Sequence, residues 1–255
     1  AMSDRNGKII FYTDGDNVYD KTHTRIATNI GGDSTATQSA LIIPVPGDET
    51  LYYIFTTEAK EDYPSNTVYY SLFDLKQNSG LGAIVQQKIP LYSKSTERLA
   101  SNGVWLISHE YGNSSFWSFP ITSMGIGQPV ITSIGSDHSF TNPSQTEGYM
   151  KMGPLGNVAV ALGSPGSNNW LEVFDFDNAT GILSNYRMVD LNESAGQVYG
   201  VEFSPGGNKL FATVKGSPTP SFIYEYSIDS VTQLHFKQKV SQPQELGALQ
   251  IGPDG

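Results

Sequence analysis

Met150-Lys-Met-Gly-Pro-Leu-Gly156, Val201-Glu-Phe-Ser-Pro-Gly-Gly207 and Leu249-Gln-Ile-Gly-Pro-Asp-Gly255 are three copies of one phrase. Each opens on alternating apolar and polar residues and closes on a Pro/Gly turn, the pattern of a short strand entering a hairpin. Looser copies stand at Met2-Ser-Asp-Arg-Asn-Gly7, Arg98-Leu-Ala-Ser-Asn-Gly103 and, with a longer turn, Ala40-Leu-Ile-Ile-Pro-Val-Pro-Gly47. The closing glycines recur about every 40 to 55 residues, a period in the range of propeller blades.

Outward from each turn the same order returns. An apolar strand follows (8–13, 51–57, 104–109, 157–162, 209–214), then a polar loop, then a strand rich in aromatic residues. That third strand reads Val68-Tyr-Tyr-Ser-Leu-Phe73, Ser115-Phe-Trp-Ser-Phe119, Leu171-Glu-Val-Phe-Asp-Phe176 and Phe222-Ile-Tyr-Glu-Tyr-Ser-Ile228. A less regular fourth strand comes after it, at 82–91, 129–134, 186–191 and 234–240. A lone four-stranded unit would expose Val, Phe, Tyr and Trp on both faces, each worth about 1.5–3 kcal/mol when buried. Neighbouring units must therefore cover one another, and radial stacking does so while leaving only short edges. The expectation is an all-β fold, a β-propeller of four-stranded antiparallel blades, in one domain over 1–255. Residues 247–252 read as a further first strand whose blade the N-terminal strands complete, giving five blades as the chain stands. Because the chain stops inside a hairpin, it reads as a module of a longer protein, with six or seven blades if repeats lie beyond it.

Composition narrows the function. Only 16% of the 255 residues are charged, while 26 Gly and a total of 14 Tyr and 12 Phe suit short strands and tight turns. The net charge is −10 and the 15 Lys and Arg are scattered singly, so no basic stripe is set out for a phosphate backbone and nucleic acid is not an expected partner. The longest apolar runs, such as 40–45, are far too short to span a bilayer, so no membrane insertion is expected. The absence of Cys excludes disulfides and thiolate metal sites.

Several stretches in order resemble the propeller region of exported proteins of the Bacteroidota that end in a gliding-motility-associated, type IX secretion (type B) sorting domain. They are Asp4-Arg-Asn-Gly-Lys-Ile-Ile-Phe-Tyr-Thr-Asp-Gly15, Thr37-Gln-Ser-Ala-Leu-Ile-Ile-Pro44 with Tyr53-Ile-Phe-Thr56, Trp105-Leu-Ile-Ser-His-Glu110, the segment 171–183, and Tyr199-Gly-Val-Glu-Phe-Ser-Pro205. The resemblance implies an exported, extracellular or cell-surface location and brings no catalytic residues. Two departures stand out: only Ala100-Ser-Asn-Gly103 precedes Trp105 where the family carries a His-Ala-Asn-Gly-like stretch, and this chain holds no sorting domain.

Candidate chemistry is sparse. His23, His109, His138 and His235 are scattered along the chain, none at metal-ligand spacing from another, so no metal site is expected from them. Ser108-His109-Glu110 holds the residue types of a hydrolytic triad, but adjacent strand residues point to opposite faces, and a His–Glu at a blade rim is the expectation. Asp14-Gly-Asp16-Asn17 with Asp20, and Asp175-Phe-Asp177-Asn178-Ala-Thr180-Gly181, carry oxygen side chains at spacings open to Ca2+. The same residues are good turn formers, and the turn reading is preferred, with no cofactor expected. Asn113, Asn178 and Asn192 begin N-glycosylation patterns, and Asp33-Ser34-Thr35 and Asp229-Ser230-Val231 resemble O-glycosylation sites of that phylum.

The repeat alignment yields one sharper candidate. Arg98, Lys151, Glu202 and Gln250 hold the same place in four successive first strands, the strands that line a propeller's channel. They are expected to form a polar ring, with Lys151 and Glu202 paired across a blade boundary, either fixing register or binding a ligand. Tyr63, Trp117 and Trp170 are candidates for stacking on sugars or a partner, the two Trp alternatively packing between blades. The expected function is a non-enzymatic surface recognition or scaffold module that binds protein or carbohydrate through rim loops. The alternative is a propeller hydrolase or lactonase with its site at one mouth of the channel, which would require ionisable groups converging on an open pocket.

Overall fold

The computed structural model describes residues 1–62, 65–138, 147–163, 169–191, 196–216, 220–228 and 234–252. The strands fall into five antiparallel sheets, each wound in sequence order. The first holds β1 (Met2–Ser3), β2 (Ile9–Thr13), β3 (Val18–Asp20) and β4 (Arg25–Ala27). The second holds β5 (Ala40–Pro44), β6 (Leu51–Thr57), β7 (Thr67–Asp74) and β8 (Ala83–Ser93). In the third, β9 (Ser95–Ser101), β10 (Trp105–Glu110) and β11 (Ser115–Thr122) are followed by β12 (Gly125–Ile126) and β13 (Val130–Ser133), both paired with β11. The fourth comprises β14 (Met150–Met152), β15 (Asn157–Leu162), β16 (Trp170–Phe176) and β17 (Leu183–Asp190). The fifth comprises β18 (Gln197–Phe203), β19 (Lys209–Lys215), β20 (Ser221–Ile228) and β21 (Leu234–Gln242).

This is the β-propeller arrangement the repeat implied, and the physical reason holds at each boundary between successive sheets. Phe11 and Val18 of the first sheet pack with Tyr52, Ile54 and Phe73 of the second. Phe55 and Val68 meet Leu106 and Phe119 at the next boundary, and Ile107 and Phe116 meet Val160 and Phe174 at the third. Leu171 and Val173 then meet Val198, Phe203 and Tyr224. Each sheet thus hides a face that it could not bury alone. The repeated turns depend on backbone freedom: Gly7, Gly47, Gly103, Gly156 and Gly207 have φ from 70° to 92°, the left-handed region that suits glycine.

The split blade is drawn differently. Met2–Ser3 pairs with β2 as the inner strand of the first sheet, and residues 243–252 carry no strand. Side chains of the fifth sheet hold this tail: Thr213 Oγ1 donates to the Gly247 carbonyl at 2.7 Å, and Leu246 N donates to Ser221 Oγ at 3.0 Å. At Gly200 a side chain would come within 2.7 Å of the Gly247 carbonyl, so the glycine admits the passing tail.

Candidate functional site

Two inner strands and the C-terminal tail bring three of the four aligned residues together. Lys151 Nζ on β14 donates to Glu202 Oε2 on β18 at 2.8 Å, across the boundary between the fourth and fifth sheets, and both side chains are largely buried. Gln250 lines two openings at this place. One, of about 350 Å³, also borders Glu202, and the other, of about 320 Å³, borders Lys151, Tyr149, Gln38 and Thr13. Arg98 does not join them. It is fully buried, its Nη2 donating to the Ala161 carbonyl at 2.9 Å and to the Glu147 carbonyl. A bulge where β9 meets β10, between Ser108 and Glu110, shifts the register there, so an equal place in the repeat is not an equal face of the sheet.

The inner region is occupied by the chain's own side chains, beginning with Gln38, which repeat alignment did not single out. Its amide acts as a strand in miniature. Nε2 donates to the Leu99 carbonyl at 2.7 Å and Oε1 accepts from Met150 N at 2.8 Å, tying β9 to β14. Beside it, Thr37 donates through its backbone N and Oγ1 to Glu97 Oε2 at 2.7 and 2.8 Å, and Glu97 Oε1 accepts from Lys60 N at 2.7 Å. Burial pushes the Glu97 carboxyl above its ordinary value despite these donors.

A second group of ionisable residues lies between the third and fourth sheets. His109 and His138 stack with ring centroids 3.4 Å apart, and His138 Nε2 is 3.1 Å from Glu172 Oε2. Ser136 donates to Glu172 Oε1 through its backbone N at 2.9 Å and through its hydroxyl. His109, His138, Glu172 and Arg98 are each 0% exposed. Burial drives both imidazoles well below the ordinary histidine value, and the Arg98 guanidinium nearby acts in the same direction. The geometry therefore reads as a neutral His138 donating Nε2–H to Glu172 Oε2. Burial lowers Arg98 to about 10, which leaves it charged at neutral pH. Burial, with the Glu172 carboxylate beside it, raises the Tyr186 phenol to about 12.

No sequence spacing announced the histidine pair, because the loop after β13 folds back to place it: His138 N donates to the Asn113 carbonyl at 3.0 Å. His109 is thus an interior residue and not part of a rim. Its neighbour Glu110 points elsewhere and accepts from Trp117 Nε1 at 3.1 Å.

The other candidates resolve locally. Asp14 Oδ1 accepts from Asp16 N and Asn17 N at 3.0 and 2.6 Å, and Asp177 accepts from Ala179 N and Thr180 Oγ1 at 2.8 and 2.7 Å, so these carboxylates close their own turns. Among the described residues no cluster of three His, Asp or Glu has metal-site geometry, and no helix is long and apolar enough to cross a membrane. Trp117 stacks on Tyr92 across the boundary between the second and third sheets at 4.6 Å, and Trp170 packs against the core between the third and fourth. Tyr63, Asn192 and Asp229-Ser230-Val231 lie outside the described residues. One further opening, of about 610 Å³, lies between the second and third sheets and is bordered by Tyr53, Tyr70, Trp117, Gln86 and Gln128.

No family model matches the chain, and no curated protein does. Solved structures match in fold. A protein of Bacteroides uniformis provisionally assigned as a 6-phosphogluconolactonase aligns with a TM-score of 0.50 at 14% identity, covering 97% of this chain and 85% of that one. A functionally unknown protein of Desulfotomaculum acetoxidans gives 0.51 at 12% identity, over 94% and 66%. The hydrazine synthase of Kuenenia stuttgartiensis gives 0.51 at 10% identity over 86% of this chain, which spans only 58% of that chain's length. At such identities the likeness concerns the fold alone, and the class defined is the β-propeller.

Proposed function

We propose that this propeller is a non-enzymatic recognition module of an exported, cell-surface protein, holding a protein or glycan partner. One observation carries the reading. One cluster of ionisable side chains, Arg98, His109, His138 and Glu172, converges between two sheets at 0% exposure, away from every opening described above, and a second, Glu97 beside the Lys60–Glu147 ion pair, is taken up in contacts within the protein. Catalysis needs such groups within reach of a substrate. The openings are instead bordered by aromatic rings, amides and the mutually paired Lys151 and Glu202. The resemblance to exported Bacteroidota propellers supports the surface location.

A second reading, lactone hydrolysis at the inner opening, is favoured by the polar cavity around Lys151, Gln38 and Tyr149 and by the fold shared with the Bacteroides uniformis protein. Incubation with gluconolactone, 6-phosphogluconolactone and an acyl-homoserine lactone separates the two. The recognition reading expects ring opening at the buffer rate. Turnover that disappears in Lys151→Met would replace it with the hydrolase reading.

A further inference from the structure

We infer that the groove between the second and third sheets binds an uncharged oligosaccharide, an inference that rests on the recognition reading and gives it a site and a ligand class. The groove, about 610 Å³, has the size of a small-molecule site. Its walls come from Tyr53 on β6, Tyr70 on β7, Gln86 on β8, Trp117 on β11, and Gly125 and Gln128 near the outer edge of the third sheet. No charged side chain borders it.

Tyr53 is the telling residue. It is only 8% exposed, its ring fixed edge-on against Tyr70 at 5.7 Å, yet its hydroxyl has no hydrogen-bond partner in the described protein. That hydroxyl is not sealed from solvent: it opens onto the groove, where a ligand or water reaches it. Gly125 borders that hydroxyl, an added Cβ standing 3.9 Å from it in ordinary contact, and φ of 123° at this residue favours glycine. The exposed amides of Gln86 and Gln128 offer both donors and acceptors.

A ligand matching these walls needs many hydroxyls, no net charge, and apolar C–H faces to lie against aromatic rings. A sugar chain has all three. An acidic glycan would be taken from water into a groove with no cation to receive it. Trp117 is well placed for the stacking role, because its ring is braced by Tyr92 at 4.6 Å and an interplanar angle of 6°, and loses little freedom on binding.

Calorimetric titration with cello-, xylo-, manno- and galacto-oligosaccharides, with oligogalacturonate as the acidic comparison and decaproline as an aromatic-groove peptide, tests this. Tyr53→Phe keeps the ring and removes only the hydroxyl, and Gln128→Ala alters the outer wall. Both variants are first checked for unchanged Tm. The expected result is saturable binding of at least one neutral sugar, weakened about fivefold or more in each variant, with oligogalacturonate inert. Sugar binding indifferent to both variants would overturn the site and leave the recognition reading standing. Decaproline binding that the variants weaken, with sugars silent, would overturn the ligand class alone. Silence toward every probe, together with lactone turnover, would overturn both.

Discussion

Glu97 and Arg98 are adjacent on β9 and so face opposite sides of the third sheet. Glu97 gathers donors from Thr37 and Lys60, while Arg98 reaches the Ala161 carbonyl of the fourth sheet. Two charged neighbours thus tie one strand to both sides, and neither is free to act on a ligand. Sequence reading placed Arg98 beside Lys151 because it used repeat position alone, and a bulge in its own strand, between Ser95 and Leu99, is invisible to that measure. The Lys151–Glu202 pair was legible, since charges at one register position in adjacent repeats must meet if the repeats stack. Glu202→Gln should lower stability by about 1–2 kcal/mol, between the values for exposed and sealed pairs. Urea denaturation, with Lys151→Met completing a double-mutant cycle, measures the coupling. No change in the single variant would remove the register role.

The stacked histidines set a pH dependence at the same scale. Both are neutral in the fold, whereas the unfolded chain protonates them near pH 6.5. Below that pH the unfolded state binds more protons, so stability falls as pH drops from about 6.5 toward the depressed folded values, by up to about 1.4 kcal/mol per pH unit for each imidazole. Glu97 acts the other way at lower pH, because its raised carboxyl takes a proton in the fold before it does in the unfolded chain. Urea midpoints from pH 7.5 to 5 should decline, and His109→Phe should flatten the slope. A flat wild-type profile would mean the imidazoles are not held neutral.

At the scale of the element, strands and turns were the most legible part, since β6 and β15 match their expected bounds, and five of the recurrent glycines take the left-handed φ. Alanine at these glycines offers a graded test. At Gly7 and Gly103 nothing lies within 4 Å of an added Cβ, so only the backbone term of about 1–2 kcal/mol applies. At Gly181, where φ is 77°, the added carbon would also stand 2.5 Å from the Trp105 ring. Gly181→Ala should therefore lower Tm more than either of the others. Equal losses would contradict this packing. What could not be read was loop return: neither the fold-back that seats His138 nor the Gln38 bridge has a periodic signature, because each is decided by contacts with a different sheet.

For the whole molecule, four apolar clusters join five sheets in succession, so no sheet is covered on its own. Ending the chain after Asp190 would uncover Leu171 and Val173. That truncation should elute as aggregate in size exclusion, whereas a soluble monomer would show that the fourth sheet needs no neighbour. Placing Arg98, His109, His138 and Glu172 inside these boundaries leaves the openings described above to aromatic and amide side chains and to the paired Lys151 and Glu202, as the proposed recognition role expects. The most direct check is nitrogen-15 NMR of the imidazoles across pH 5 to 8, with and without gluconolactone. His109 and His138 should stay neutral throughout and ignore the lactone. Titration of either ring near pH 6.5, with a shift when lactone is added, would place them in contact with substrate and contradict a sealed, structural role.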